Sequence, residues 1–244
     1  MESPPNPAPG TRGRGGLIIG AVVLVLALAV TGAVALLGGD GGDTPIGGDE
    51  PVEGGVETSL VPQELEIPDG YLGVRSLGAL TPIPQDGWHA YAGPGSDELL
   101  AEDAHAMSVS HGNNWISYFM VGRLGEFALN ADPEDLRSTA TEIVDTWVFD
   151  YPYSGTTGLT RSEPELTDLV VDTHPAVLLE TRVSWDSLDS SPDEYEDLAL
   201  LLVNPGDDGI FLGVAAVPES GTQRFEPAVE ALLDTTFQHN TYKP

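Results

Sequence analysis

Residues 195–217 read YEDLALLLVNPGDDGIFLGVAAV, and this stretch decides the fold class. Two apolar runs flank a polar segment rich in Gly, Asp, Asn and Pro. Tyr195–Val203 is predicted as a strand, Asn204–Gly209 as a turn, and Ile210–Val217 as a second strand. IFLGVAAV has no polar residue in alternation, so this strand is expected to be buried on both faces.

The pattern extends outward on both sides. Upstream, Leu166–Val171 reads as a strand, Asp172-Thr173-His174-Pro175 as a turn, and Ala176–Trp185 as a long strand. The acidic stretch Asp186–Glu194 reads as a solvated loop. Downstream, a helix starts near Phe225–Pro227, with Phe225, Val229, Leu232, Leu233 and Phe237 on one side.

Farther upstream, Asp132-Pro133-Glu134-Asp135 opens a helix. Asp132 suits the cap, Pro133 the first helical position, and the acids the positive end of the dipole. Leu136, Ala140, Ile143, Val144 and Trp147 share one face of it, so Trp147 is expected in the core, and Tyr151-Pro152 and Ser154-Gly155 end it. Before this helix, Ala104–Ser110 and Trp115–Val121 flank His111-Gly112-Asn113-Asn114 and predict a hairpin. Tyr71–Leu80 reads as one strand ended by Pro82 and Pro84, and Trp88–Ala92 as a short strand. The order strands, helix, strands, helix predicts an α+β domain over residues 70–240, a mostly antiparallel sheet packed with helices.

Before the domain the character changes. Leu17–Leu37, LIIGAVVLVLALAVTGAVALL, is an uncharged run of 21 residues. At ~1.5 Å per residue a helix of this length spans the roughly 30 Å hydrocarbon core of a bilayer. Arg12 and Arg14 precede it, whereas Asp40, Asp43, Asp49 and Glu50 follow it. That asymmetry predicts a cytoplasmic amino terminus and an extracellular carboxy-terminal domain. The competing expectation is a secretory signal cut near Ala35, at Ala33-Val34-Ala35. The run continues through Leu36 and Leu37 and exceeds a typical signal core, which favours a retained single-pass anchor. Residues 1–16 are Pro/Gly-rich and predict a disordered cytoplasmic tail. Residues 38–69, rich in Gly and acids, predict a self-repelling linker.

The chain carries 39 acidic and 9 basic residues; without Glu2, Arg12 and Arg14, the part beyond the span has 38 and 7, a net of −31. This charge argues against nucleic acid and against direct binding to anionic lipid head groups. With no cysteine in the sequence, neither a disulfide nor a lipidated cysteine anchor is available.

Asp86-Gly87-Trp88, Tyr151-Pro152-Tyr153, Val170-Val171-Asp172-Thr173-His174-Pro175-Ala176 and Leu232-Leu233-Asp234-Thr235-Thr236-Phe237 occur in a strand, hairpin, helix, strand, helix order. In these motifs the domain resembles actinobacterial cell-envelope proteins of the LpqN type. The resemblance implies a PsbP-like fold and a non-catalytic module that binds something or supports an assembly. It transfers no site residues, because the matching positions are turn and core residues.

No catalytic, cofactor-binding or metal-ligating residue is nominated. His89, His105, His111, His174 and His239 form no metal-ligand spacing, and neither phosphate loop, nucleophile elbow nor dinucleotide fingerprint occurs. His105 and His111 share strand parity but lie too far apart for one metal. A Ser/His/Asp set assembled in space would give a hydrolase. Asp186, Asp189, Asp193, Glu194, Glu196 and Asp197 offer carboxylates for a calcium ion, though a solvated loop is the better explanation of them. The functional expectation is a membrane-anchored binding or scaffold module, partnered by the membrane through residues 17–37 and by an envelope protein or a small apolar ligand. The alternative is an envelope hydrolase.

Overall fold

The structure is a computed structural model, and it describes residues 65–84, 87–91, 101–112, 115–125, 131–148, 153, 156–186, 192–206 and 208–238. The expectations for the tail, span and linker lie outside the described residues. So do those for Asp86, Tyr151-Pro152, Ser154-Gly155, Asp189, His239 and the side chain of Trp147.

An antiparallel sheet of eight strands forms the centre. It holds β3 (His89–Ala90), β4 (Ala101–Ser110), β5 (Ile116–Leu124), β10 (Phe211–Pro218), β9 (Tyr195–Val203), β8 (His174–Ser184) and β6 (Thr160–Arg161) in that spatial order. β7 (Glu165–Val171) also pairs with β8. A second, three-stranded sheet orders β1 (Tyr71–Val74), β2 (Ala79–Pro82) and β11 (Thr236–Phe237). Among the described residues two α-helices complete the fold, α1 (Leu136–Glu142) and α2 (Phe225–Leu233), α1 running on into a π-helical turn over Ile143–Val148.

The α+β expectation agrees with this architecture, and the β9–β10 hairpin lies at its heart. Both faces of these strands are covered. Leu198, Leu200, Leu202, Leu212 and Val214 pack with Leu136, Ala140, Ile143 and Val144 of the α1 segment. Ala199, Leu201, Val203, Phe211 and Ala215 pack on the opposite face with Ala228 and Leu232 of α2 and with Leu72, Val74 and Ala79 of the small sheet. Two covered faces explain why the run has no alternation. Gly213 lets α2 come close, because a Cβ there would stand 2.7 Å from Leu232 Cδ2.

The β4–β5 hairpin also forms, with His105 opposite Val121 and Ser110 opposite Ile116. A bulge between Glu102 and His105 interrupts the ladder. At the bulge, Asp103 takes a φ of +50° and its Oδ2 accepts from Ser76 N at 2.8 Å, tying the large sheet to the small one.

Four expectations need correction. Tyr71–Leu80 is not one strand: it breaks at a 3-10 turn over Arg75–Leu77, with Gly78 left-handed, and folds back as β1 and β2. Apolar content predicted extension there, but the turn residues Arg75, Ser76 and Gly78 set the reversal. The α1 cap is Asp135, whose carboxylate accepts from Ser138 N at 3.0 Å, while Asp132 closes a preceding turn on Glu134 N at 2.8 Å. Either aspartate can cap, and burying Leu136 selects the later one.

The turn between β7 and β8 is only Asp172-Thr173, both left-handed at φ +43° and +71°, so His174 and Pro175 belong to β8. Such a two-residue turn matches the twist of its strands. Pro175 is tolerated because it joins the ladder through its carbonyl, which accepts from Asn204 N at 2.9 Å. Phe237, finally, is not on α2 but in β11, where its N–H donates to Asp172 Oδ2 at 2.6 Å.

Candidate functional site

The acidic stretch before β9 is where the sequence reading fails most clearly. Asp193 and Glu196 are buried, 2% and 6% exposed. Asp193 stands at the head of a 3-10 helix over Glu219–Arg224. Its Oδ1 accepts from Ser220 N at 2.8 Å and its Oδ2 from Ser220 Oγ at 3.0 Å. Its carbonyl accepts from Trp185 Nε1 at 2.9 Å. Glu196 Oε2 accepts from Tyr153 Oη at 2.6 Å.

Above these carboxylates lies an aromatic stack. Trp115 and Trp185 are nearly parallel, centroids 4.6 Å apart, and Tyr153 tilts against Trp185 at 5.7 Å. In this dry surrounding burial pushes the Glu196 carboxyl up to about 7. The Tyr153 hydrogen bond opposes that rise, while the negative charges of Asp193 and Asp197 add to it. Tyr153 is itself held well above its ordinary range, by burial first and then by Glu196. Asp197, one residue on, turns outward to a two-pronged pair with Arg182, at 2.7 and 3.0 Å. Three of the six carboxylates offered for calcium are thus bonded to protein donors. Among the described residues no group of three metal-ligating side chains converges.

A hydroxyl–imidazole pair lies at the same end of the sheet. His111 Nε2 and Ser117 Oγ are 2.8 Å apart across the β4–β5 turn. Burial lowers the His111 basicity, the Arg224 charge lowers it further, and Asp193 pulls the other way. Ser, His and Asp therefore do gather in space. Yet Ser117 is 0% exposed, and Gly221 closes over it: a Cβ there would stand 2.7 Å from both Ser117 Oγ and His111 Nε2. The carboxylate oxygens of Asp193 are bonded to Ser220. This pair ties the hairpin to the 3-10 helix rather than presenting a nucleophile.

His105 and His111, expected to lie too far apart for one metal, each have their own partner, His105 Nε2 standing 3.8 Å from Asp103 Oδ1. His174 packs edge-on against Phe237 at 5.0 Å, and His89 is exposed. The available signal for the Ser117 contact was its place across the Gly/Asn turn from His111.

A second candidate is an open groove of about 590 Å³ along the outer side of α1. Asp135, Ser138, Thr141, Glu142 and Asp145 line it, with Leu166 of β7. Two ion pairs cross nearby, Arg137–Asp168 at 2.9 Å and Arg161–Asp145 at 2.5 Å. It is shallow, as a binding surface would be, but polar where an apolar groove would suit an apolar ligand.

No protein-family model matches the chain, and no curated protein matches its sequence. Among solved structures it is similar to PA94, a protein of unknown function from Pseudomonas aeruginosa, with 12% identity and a TM-score of 0.36 over 65% of this chain and 98% of that one. It is also similar to LpqN, involved in cell envelope biogenesis in Mycobacterium tuberculosis, with 15% identity and a TM-score of 0.33 over 74% and 86% of the two chains. LpqN is thus a distant structural neighbour, and no function transfers at these scores.

Proposed function

We propose that the chain is a membrane-anchored, extracytoplasmic binding or scaffold module of the cell envelope, held by residues 17–37 with its carboxy-terminal domain outside and partnered by an envelope protein or a small ligand. The observation that supports a non-catalytic reading is the closed Ser117–His111 pair. The residue types of a hydrolase assemble, but the hydroxyl is buried beneath Gly221 and the aspartate is bonded to Ser220. A nucleophile that substrate cannot reach gives no acyl transfer. The acidic composition supports a location in which the domain stands away from anionic head groups.

Two measurements test the two halves of this proposal. Protease added to intact cells should degrade the domain while the protein stays membrane-bound; mature protein beginning at Leu36 would remove the anchor. A fluorophosphonate probe should leave Ser117 unlabelled. Labelling that disappears in Ser117→Ala would establish the hydrolase instead.

A further inference from the structure

One edge of the large sheet is open. Among the described residues β7 pairs with β8 alone. Its register runs unbroken from Glu165 opposite Glu180 to Val171 opposite His174. The strand reads ELTDLVV, with no proline, glycine or lysine. Natural sheet edges are commonly closed by prolines, lysines, bulges or a covering element.

The backbone of this edge faces outward at alternate residues. Residues opposite each other in an antiparallel pair either exchange both hydrogen bonds or both turn away. Pro175, opposite Val170, turns its carbonyl to Asn204 N at 2.9 Å, away from β7. Leu166 turns its carbonyl to Arg137 Nη1 at 3.4 Å, away from β8. Leu166, Asp168 and Val170 therefore hold their N–H and C=O groups toward the open edge. Their side chains share the α1 side, where Leu166 packs on the core and Asp168 pairs with Arg137 at 2.9 Å. The edge is reachable from solvent: the Asp168 side chain is 70% exposed and Val170 69%.

Charge decides what can dock there. In a two-fold register a second copy of β7 would set Asp168 against Asp168. Like charges directly opposite are unfavourable, and two chains of net charge −30 repel each other. The groove of about 590 Å³ beside the edge, with Leu166 in its wall, adds Asp135, Glu142 and Asp145 on the same side. Arg137 displays the chemistry that fits: its guanidinium meets both the Leu166 carbonyl and the Asp168 carboxylate.

We propose that β7 takes an extended segment of a partner protein as an added antiparallel strand, with Lys or Arg at alternate positions on the α1 side. Backbone hydrogen bonds to Leu166, Asp168 and Val170 hold the segment, as in other strand additions to a sheet edge. Alternation sends every second side chain toward Asp168 and the acidic groove. The charge that rejects a second copy thus selects a basic strand. The proposal rests on the binding-module reading and gives it a partner class.

The test uses the full chain in nonionic detergent and a synthetic peptide of alternating lysine and valine. A second peptide carries N-methyl groups on its lysine backbone nitrogens, so it keeps the charge and loses the donors that face β7. Affinity is read by fluorescence anisotropy of the labelled peptides, and amide hydrogen exchange over residues 165–171 by mass spectrometry. The first peptide should bind saturably and slow exchange in that segment. The N-methylated peptide should bind at least about tenfold more weakly, because more than one hydrogen bond is lost. Val170→Pro removes one outward N–H and no ladder bond, and should weaken binding about fivefold. If it fails to fold, Asp168→Lys carries the test, since it reverses an exposed charge and should weaken binding by a similar factor.

Equal affinity for the two peptides would mean that bulk charge alone attracts them, and would overturn the proposal. Unslowed exchange over residues 165–171 or unchanged affinity in the variants would do the same, as would a dimer of the chain that protects this segment. None of these outcomes alters the protease and fluorophosphonate results, so failure of this edge and failure of the anchored-module reading are told apart.

Discussion

The two ends of strand β9 solve opposite problems. From Leu198 to Val203 every side chain is apolar and almost wholly buried. There the strand needs only neighbours of the right volume on both faces. At its start, Asp193 and Glu196 are also buried, but each is held by a donor far away in sequence. Ser220 is 27 residues from Asp193, and Tyr153 is 43 from Glu196. Burying apolar surface is favourable with any apolar neighbour. Burying a carboxylate is unfavourable unless specific donors arrive. The apolar end is therefore robust and the acidic end conditional.

The sharpest way to break this contrast is at the apolar end. Leu200→Ala, at a fully buried position, should cost about 2–5 kcal/mol by denaturant unfolding. A smaller loss would mean that the two faces close over the gap more readily than a packed core does.

The acidic end should then respond to pH while the apolar end does not. The Glu196 carboxyl is raised from 4.5 to about 7 in the folded protein, so folding favours its neutral form. The contribution is fully present below pH 4.5 and is lost as pH rises through about 7. At 1.36 kcal/mol per unit this is roughly 3 kcal/mol between acid and neutral pH. Glu196→Gln should remove that dependence and be more stable than the parent at pH 8, yet match it at pH 4. A parallel pH profile for parent and variant would show that Glu196 is hydrated.

Tyr153→Phe removes the donor and leaves the carboxylate in place. It should cost about 1–3 kcal/mol at pH 8, where Glu196 is charged, and less at pH 5. Equal costs at both values would mean that the ring alone matters. The smallest effect belongs to Arg182→Gln. The pair with Asp197 is half exposed on the arginine side, so the loss should stay below about 1 kcal/mol and shrink in salt.

The same physics separates what was legible in the chain from what was not. Periodicity and turn chemistry marked the β9–β10 and β4–β5 hairpins and the buried stripe of α1, because those signals are local and each residue's neighbours in sequence determine them. The break at Gly78 and the two-residue turn at Asp172-Thr173 were blurred. Their reversal depends on one or two backbone angles that apolar content does not report.

The candidate site was least legible. Asp193 stands in an acidic stretch that reads as a solvated loop and Glu196 near the start of a predicted strand, and nothing in either segment announces Ser220 or Tyr153 as their partners. His111 and Ser117 lie on either side of a visible turn, but the lid over them, Gly221, comes from the 3-10 helix after β10, far away in sequence.

By itself, then, the sequence determined the α+β class, the central apolar strands, the absence of cysteine and the strong negative charge. Tertiary structure alone decided which carboxylates are buried and that the hydroxyl–imidazole pair is closed. The reason is that apolar burial asks only for a pattern, which one segment carries whole. A buried polar group asks for a particular atom at hydrogen-bond distance, and only the folded chain can bring it there.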